Sequence, residues 1–194
     1  MKILAIDSVA ENLVVAVSDG EKLYSKVSTT GSKTHNSLLL PYIDEALGEA
    51  GLEIGDIDCF GCVVGAGSFT GIRIGVSTMK ALCFATGKKC VALTSFQEVA
   101  YNIEEENFVV AIDCRHDSFY CAQFAQNWEN IIQMREYTAE ELTKFDCNIY
   151  YKNGASSPQK LVEMTQILAT KNEFGQLEPL YLKKSQAERE KDGD

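Results

Sequence analysis

Residues 3–7 read Ile3-Leu4-Ala5-Ile6-Asp7, and residues 108–113 read Phe108-Val109-Val110-Ala111-Ile112-Asp113. Each is a short apolar run closed by an acid, the pattern of a buried strand. Both end in Ala-Ile-Asp, and Asp7 and Asp113 lie 106 residues apart. Each run continues through a polar turn into a second strand, over Val14 to Ser18 in one case and Phe119 to Phe124 in the other. The chain therefore carries one strand–turn–strand unit twice.

The first copy extends into a longer pattern. Leu13 to Val17 and Lys22 to Val27 alternate around Asp19-Gly20, which predicts a hairpin. Thr34 to Ala50 has helical periodicity, with Leu39, Ile43 and Leu47 on one stripe and Gly51 as its C-cap. Pro41 falls inside it and marks a kink or the first turns. Ile57 to Val64 reads as a buried strand. Thr70 to Thr86 reads as a second helix with Ile72, Val76, Met79 and Cys83 on one face, ended by Gly87. Lys89 to Leu93 is a fifth strand, and Thr94-Ser95 caps a short helix to about Tyr101. The acidic turn Glu104-Glu105-Glu106-Asn107 then separates the repeats. The second copy has room for three strands, a helix near Ala139 to Phe145, a strand at Cys147 to Tyr151 and a helix near Pro158 to Ala169. This order predicts two related α/β lobes, residues 1–104 and a smaller 105–194.

Composition narrows the function. The 194 residues are 45% hydrophobic and 24% charged, as in a soluble globular protein. With 18 Lys+Arg against 28 Asp+Glu, the net charge is -10. Gripping nucleic acid unaided needs a basic face, because affinity comes largely from neutralised phosphates. Basic residues pair only at Lys88-Lys89 and Lys183-Lys184, so any nucleic acid is expected to be held by a partner. The polar end, Glu188 to Asp194, reads as a solvated tail. Met1-Lys2 runs straight into the first strand, too short for a signal peptide, and no run reaches the length of a membrane span. A cytoplasmic protein is expected. The seven cysteines are odd in number and sparse. Cys59-Phe60-Gly61-Cys62 lies within a strand, where residues three apart face opposite sides, so the pair reads as core rather than as a zinc clasp.

Three places could carry chemistry. Gly65-Ala66-Gly67-Ser68-Phe69-Thr70-Gly71-Ile72-Arg73-Ile74-Gly75 joins a strand to a helix. It lacks the Lys-Ser/Thr of a P-loop, and its glycines are spaced wrongly for a dinucleotide fingerprint. It remains open to two readings: an anion cradle using Gly65, Gly67, Ser68, Thr70 and Arg73, or a tight turn capped by Ser68 or Thr70. Gly75, inside the helix, points to close packing. Asp7 and Asp113 could flank a nucleotide–metal cleft, although no phosphate-clasping glycine follows either; the alternative is that each caps the turn after it. His35 and His116 are the two histidines, with no HxxxH pair, which argues against a histidine metal centre. No nucleophile elbow is present.

Those same stretches resemble the TsaB (YeaZ) family of bacterial tRNA threonylcarbamoyladenosine biosynthesis factors. The likeness rests on Ile3 to Ser8, on His35 with Leu39-Leu40-Pro41 and Ile43, on Gly51-Leu52, on Gly65 to Gly75, and on Pro179-Leu180-Tyr181-Leu182-Lys183. Ala66 stands where the family has proline, and Ser8-Val9 replaces its common Thr-Ser.

The resemblance implies an α/β, actin-like (ASKHA) fold of two related lobes with mixed sheets flanked by helices, the second reduced. It implies a non-catalytic scaffold that supports a TsaD-like protein in threonylcarbamoyl transfer to adenosine 37 of tRNAs reading codons that begin with A. At the place of the catalytic relative's histidine pair this chain reads Thr94-Ser95-Phe96-Gln97-Glu98-Val99. No cofactor is expected here, ATP and a metal belonging to the partners. Those partners are the TsaD-like protein, a TsaE-like ATPase and, for the chain alone, a second copy; tRNA is met only through the complex and no membrane is involved. The two first-lobe helices are the family's pairing surface. Their candidate residues here are His35, Leu38, Leu39, Tyr42, Ile43, Gly71, Ile72, Gly75, Met79 and Leu82, with Ala81 and Ala85 widening the apolar face. The competing classes are an actin-fold ATPase or small-molecule kinase, and a metalloprotease.

Overall fold

Two sheets carry the repeat. The computed structural model describes residues 1–28, 34–114 and 117–182. In the first sheet, β1 (Ile3–Asp7), β2 (Val14–Ser18), β3 (Leu23–Val27), β4 (Cys59–Val63) and β5 (Cys90–Leu93) run in the order β3-β2-β1-β4-β5. The hairpin pairs are antiparallel, and β4 is parallel to both β1 and β5. The second sheet holds β6 (Asn107–Asp113), β7 (Ser118–Ala125), β8 (Ile131–Thr138) and β9 (Asn148–Tyr151) in the order β8-β7-β6-β9. Again the neighbouring hairpins are antiparallel and the crossover strand β9 is parallel to β6. The repeated Ala-Ile-Asp runs thus occupy equivalent strands.

Local chemistry sets the element ends. Asp19 Oδ1 accepts from the Glu21 and Lys22 amides at 2.8 and 2.7 Å, closing the β2–β3 turn. Helix α1 (His35–Ala50) and helix α2 (Phe69–Thr86) both stop at glycines in the left-handed region, Gly51 at φ 66° and Gly87 at φ 69°. Pro41 sits within α1 without ending it; the proline is exposed. Thr34 makes no side-chain cap bond to α1, while Ser68 caps α2 by accepting from the Gly71 amide at 3.2 Å. Helix α3 (Ser95–Ala100) begins with a Thr94–Gln97 capping box. Helix α4 (Ala139–Leu142) is one turn, shorter than the expected run to Phe145.

Helices exchange between the halves. Helix α5 (Pro158–Thr170), late in the chain, packs across β1, β2, β4 and β5 of the first sheet. Gly61 makes this possible: a Cβ there would overlap Thr165 Oγ1 and lie 3.1 Å from the Ala5 methyl. Helices α1 and α2 cover the opposite face, where Ile6 Cδ1 lies 3.6 Å from the Cβ position of Gly75. Helix α3 packs in return on β6, β7 and β9. One apolar core therefore runs through both halves, joining Ile3, Phe60, Phe96, Phe108, Phe124 and Leu161. A smaller cluster, with Val109, Ala111, Cys121, Tyr137 and Leu142, lies under α4 on the far side of the second sheet. Cys59 and Cys62 are buried in β4 as free thiols. Burial pushes the Cys59 thiol up to about 11 and Cys62 higher.

Candidate functional site

The turn after β1 gathers the motifs. Asp7 is fully buried, and its Oδ1 accepts from the Val9 and Ala10 amides at 2.7 and 3.3 Å. Ser8 Oγ donates to the Gly71 carbonyl at 2.8 Å. The Ser8 carbonyl meets His35 Nδ1 at 3.0 Å, and His35 Nε2 reaches the Glu11 carbonyl at 3.1 Å. A neutral imidazole can donate to one of these oxygens, an imidazolium to both. The Ser68 amide donates to the Val9 carbonyl at 3.0 Å. The glycines complete the fit. A Cβ on Gly67 would lie 2.6 Å from the Val9 carbonyl oxygen, one on Gly71 would overlap the Ser8 carbonyl, and one on Gly75 would overlap Ser8 Oγ. Residues 7–11, 35 and 65–75, far apart in sequence, thus pack against one another.

A buried ion cluster closes the same place from the other half. Asp7 Oδ2 accepts from Ser156 Oγ. Lys152 Nζ, on the residue after β9, lies 2.9 Å from Glu98 Oε2, 2.9 Å from Ser156 Oγ and 4.0 Å from Asp7 Oδ2. Glu98 Oε1 accepts from the Ser157 amide at 3.2 Å, and its carbonyl accepts from Lys160 Nζ at 3.4 Å. Asp7, Glu98 and Ser156 are buried, and the Lys152 side chain is 9% exposed. Burying these charges is tolerable because each is paired and hydrogen-bonded. Both oxygens of Asp7 are therefore engaged within the chain.

The other anion candidates scatter. Gly65, at φ 138°, would with a Cβ meet the Leu180 carbonyl at 2.6 Å, because the segment after α5 returns here; the Leu180 amide donates to the Val64 carbonyl at 2.9 Å. Thr70 is exposed and Ser68 half-buried. Arg73 is exposed, its Nε donating to the Tyr181 hydroxyl at 3.1 Å, and Phe69 stacks on Tyr181 with centroids 4.7 Å apart. Asp113 is exposed at the end of β6, an environment unlike that of Asp7. His116 lies outside the described residues, as do Lys183-Lys184 and the tail from Glu188. Among the described residues no three His, Cys, Asp or Glu side chains are grouped to hold a metal ion.

A family model for "TsaD: tRNA N6-adenosine threonylcarbamoyltransferase" matches residues 27–162, well over half of the chain. The chain belongs to the TsaD family. Within it, the similarity is of the TsaB (YeaZ) kind. The tRNA threonylcarbamoyladenosine biosynthesis protein TsaB of Haemophilus influenzae is 30% identical over 152 residues, 73% of this chain. That alignment spans 64% of the Haemophilus protein, under two thirds of its length. TsaB of Buchnera aphidicola is 26% identical, over 89% of this chain and 81% of that protein. Among solved structures, a Pseudomonas aeruginosa protein with similarity to peptidase YEAZ superposes with a TM-score of 0.79 at 19% identity, covering 94% of this chain and 99% of that one. YeaZ from Pseudomonas aeruginosa gives 0.78 at 20% identity, covering 93% and 99%. The fold is the actin-like one.

In this TsaD-family chain α1 and α2 lie side by side on one face of the first sheet. His35, Leu39, Ile43, Gly71, Ile72, Gly75 and Met79 point inward and are buried. Leu38, Tyr42 and Leu82 are half-buried, and Ala81 and Ala85 are exposed. Two residues outside the candidate interface set stand out furthest on these helices: Leu40, noted in the sequence only as part of the Leu39-Leu40-Pro41 stretch, is 55% exposed and Phe84 92%. Phe84 directly follows the inward stripe of α2, which is the signal that could have found it. The Lys152–Glu98–Asp7 cluster was also missed, since ion pairs between distant residues leave no periodic trace.

Proposed function

We propose that the chain acts in tRNA threonylcarbamoyladenosine biosynthesis as a non-catalytic subunit, pairing through α1 and α2 with a TsaD-type threonylcarbamoyltransferase. The observation that carries this reading is the closure around Asp7. A nucleotide-splitting actin-fold cleft needs a carboxylate facing an open site, and here both carboxylate oxygens have intramolecular donors. The geometry supports a rigid support rather than a phosphoryl-transfer centre.

The pairing half of the reading rests on the outer surface of the two helices. Leu40 and Phe84 add exposed apolar area to faces that already bury a full stripe inward. An exposed aromatic as large as Phe84 is suited to anchoring a contact surface. The same patch would pair two copies when the transferase is absent. The transferase, a TsaE-like ATPase and the complex as a whole would supply ATP, metal and the grip on tRNA, consistent with the net charge of -10. Such a complex would work in the cytoplasm; no helix of the described residues is long and apolar enough to cross a membrane.

The test is reconstitution. tRNA, threonine, bicarbonate, ATP and the pathway's other proteins are combined with and without this chain, and modified adenosine is quantified by mass spectrometry. Modification is expected to require the chain, which alone yields none. Equal modification without it would overturn the proposal.

A further inference from the structure

A cavity of about 290 Å³ opens beneath the C-terminal end of α2, away from the Asp7 junction. Its walls include Cys83 from α2, Cys90 from the start of β5, Lys80, Lys88 and Lys89, and Phe174 from the segment after α5. Gly87 turns the chain between the two cysteines, its amide donating to the Cys83 carbonyl at 2.9 Å. Both cysteines line the cavity, and the Cys90 S–H donates to the Val91 carbonyl at 3.5 Å. Lys89 Nζ sits 4.6 Å over the Phe174 ring, which holds that segment against the cavity.

The two thiols differ in a useful way. Cys83 is half-buried and open to the cavity, while Cys90 is buried. Interaction with Cys90 holds the Cys83 thiol below its ordinary value, and that same interaction, together with burial, holds Cys90 above. Burial raises Cys59, Cys62, Cys121 and Cys147. A partly exposed thiol held below its ordinary value is the reactive form of cysteine.

We propose that Cys83 and Cys90 form a peroxide-responsive dithiol that closes to an intramolecular disulfide. The Cys83 thiolate attacks one oxygen of a small hydroperoxide. The O–O bond breaks, Cys83 becomes a sulfenic acid, and the other oxygen leaves as water or an alcohol after taking up a proton. Cys90 sulfur then attacks the sulfenic sulfur, the S–O bond breaks, and the oxygen departs as water with the Cys90 proton. Two electrons pass from the two thiols to the peroxide, and a dithiol reductant reverses the change. The bond ties the last turn of α2 to β5. The inference stands whether or not the chain pairs with a transferase.

The full chain is treated with graded hydrogen peroxide, quenched with an alkylating agent and mapped by peptide mass spectrometry. A single linked product joining the Cys83 and Cys90 peptides is expected, two hydrogens lighter than the reduced pair and restored by dithiothreitol. In Cys90→Ser, and in Cys90→Ala should the serine disturb the core, dimedone is expected to trap the sulfenic acid at Cys83. Cys83→Ser gives neither product. Without peroxide, Cys83 is expected to alkylate at pH 7 about tenfold faster than Cys147. Circular dichroism confirms that each variant is folded. Linkage between other cysteines, or a reduced Cys83 while Cys114 or Cys147 oxidises, would overturn the proposal.

Discussion

Ser8 organises the junction through its backbone as much as its hydroxyl. Its carbonyl faces His35 and excludes any Cβ at residue 71; its Oγ holds the Gly71 carbonyl and excludes any Cβ at residue 75. Gly71→Ala forces a methyl against a backbone oxygen that has no rotamer to move, so a loss of about 1–3 kcal/mol is expected in urea unfolding. Gly48→Ala is the contrasting substitution: nothing lies within 4 Å of its Cβ position, in the exposed part of α1. It is expected to raise stability by about 0.5–1 kcal/mol through helix propensity. Some of this was legible in the sequence. Gly75 inside a helix announced a close approach, and Asp7 before a polar turn announced a cap. The object approached was not legible, because Ser8 and Gly75 are joined by no local pattern.

Elements show the same division. The repeated Ala-Ile-Asp runs identified β1 and β6, and glycines fixed the ends of α1 and α2. Strand β8 was given no boundaries, since it lies at a sheet edge and its residues are mostly exposed or half-buried, blurring the alternation. The amphipathic pattern of α5 showed that it buries a face, but not that the face covers the other sheet. Gly61 and Thr165 carry that placement. Gly61→Ala is expected to cost about 1–3 kcal/mol, and adding Thr165→Ala, which removes the colliding atoms, to recover a substantial part. Simple additivity in the double-mutant cycle would show that α5 does not rest on Gly61. On the opposite face, Phe84→Glu is expected to abolish pairing with the transferase in size-exclusion chromatography while leaving the melting temperature within about 2 °C, as for a surface change. Unchanged pairing would remove α2 from the interface.

At the scale of the whole molecule, the halves are joined by exchanged helices and by Lys152. That lysine neutralises carboxylates from β1 and α3 together. Lys152→Met leaves Asp7 and Glu98 buried without their cation, and a loss of about 3–5 kcal/mol is expected in chemical denaturation. The double variant Lys152→Met/Glu98→Gln is expected to regain part of it. A loss below about 1 kcal/mol would mean that the cluster does not bind the halves together. The exchange of helices also bears on synthesis. The strands of the first sheet are all made by residue 93, yet α5, which covers one of its faces, begins at Pro158. On a ribosome adding about 5–20 residues per second, that face waits several seconds for its cover. The nascent chain therefore presents an uncapped apolar sheet until α5 emerges, which is the interval in which a chaperone would find it.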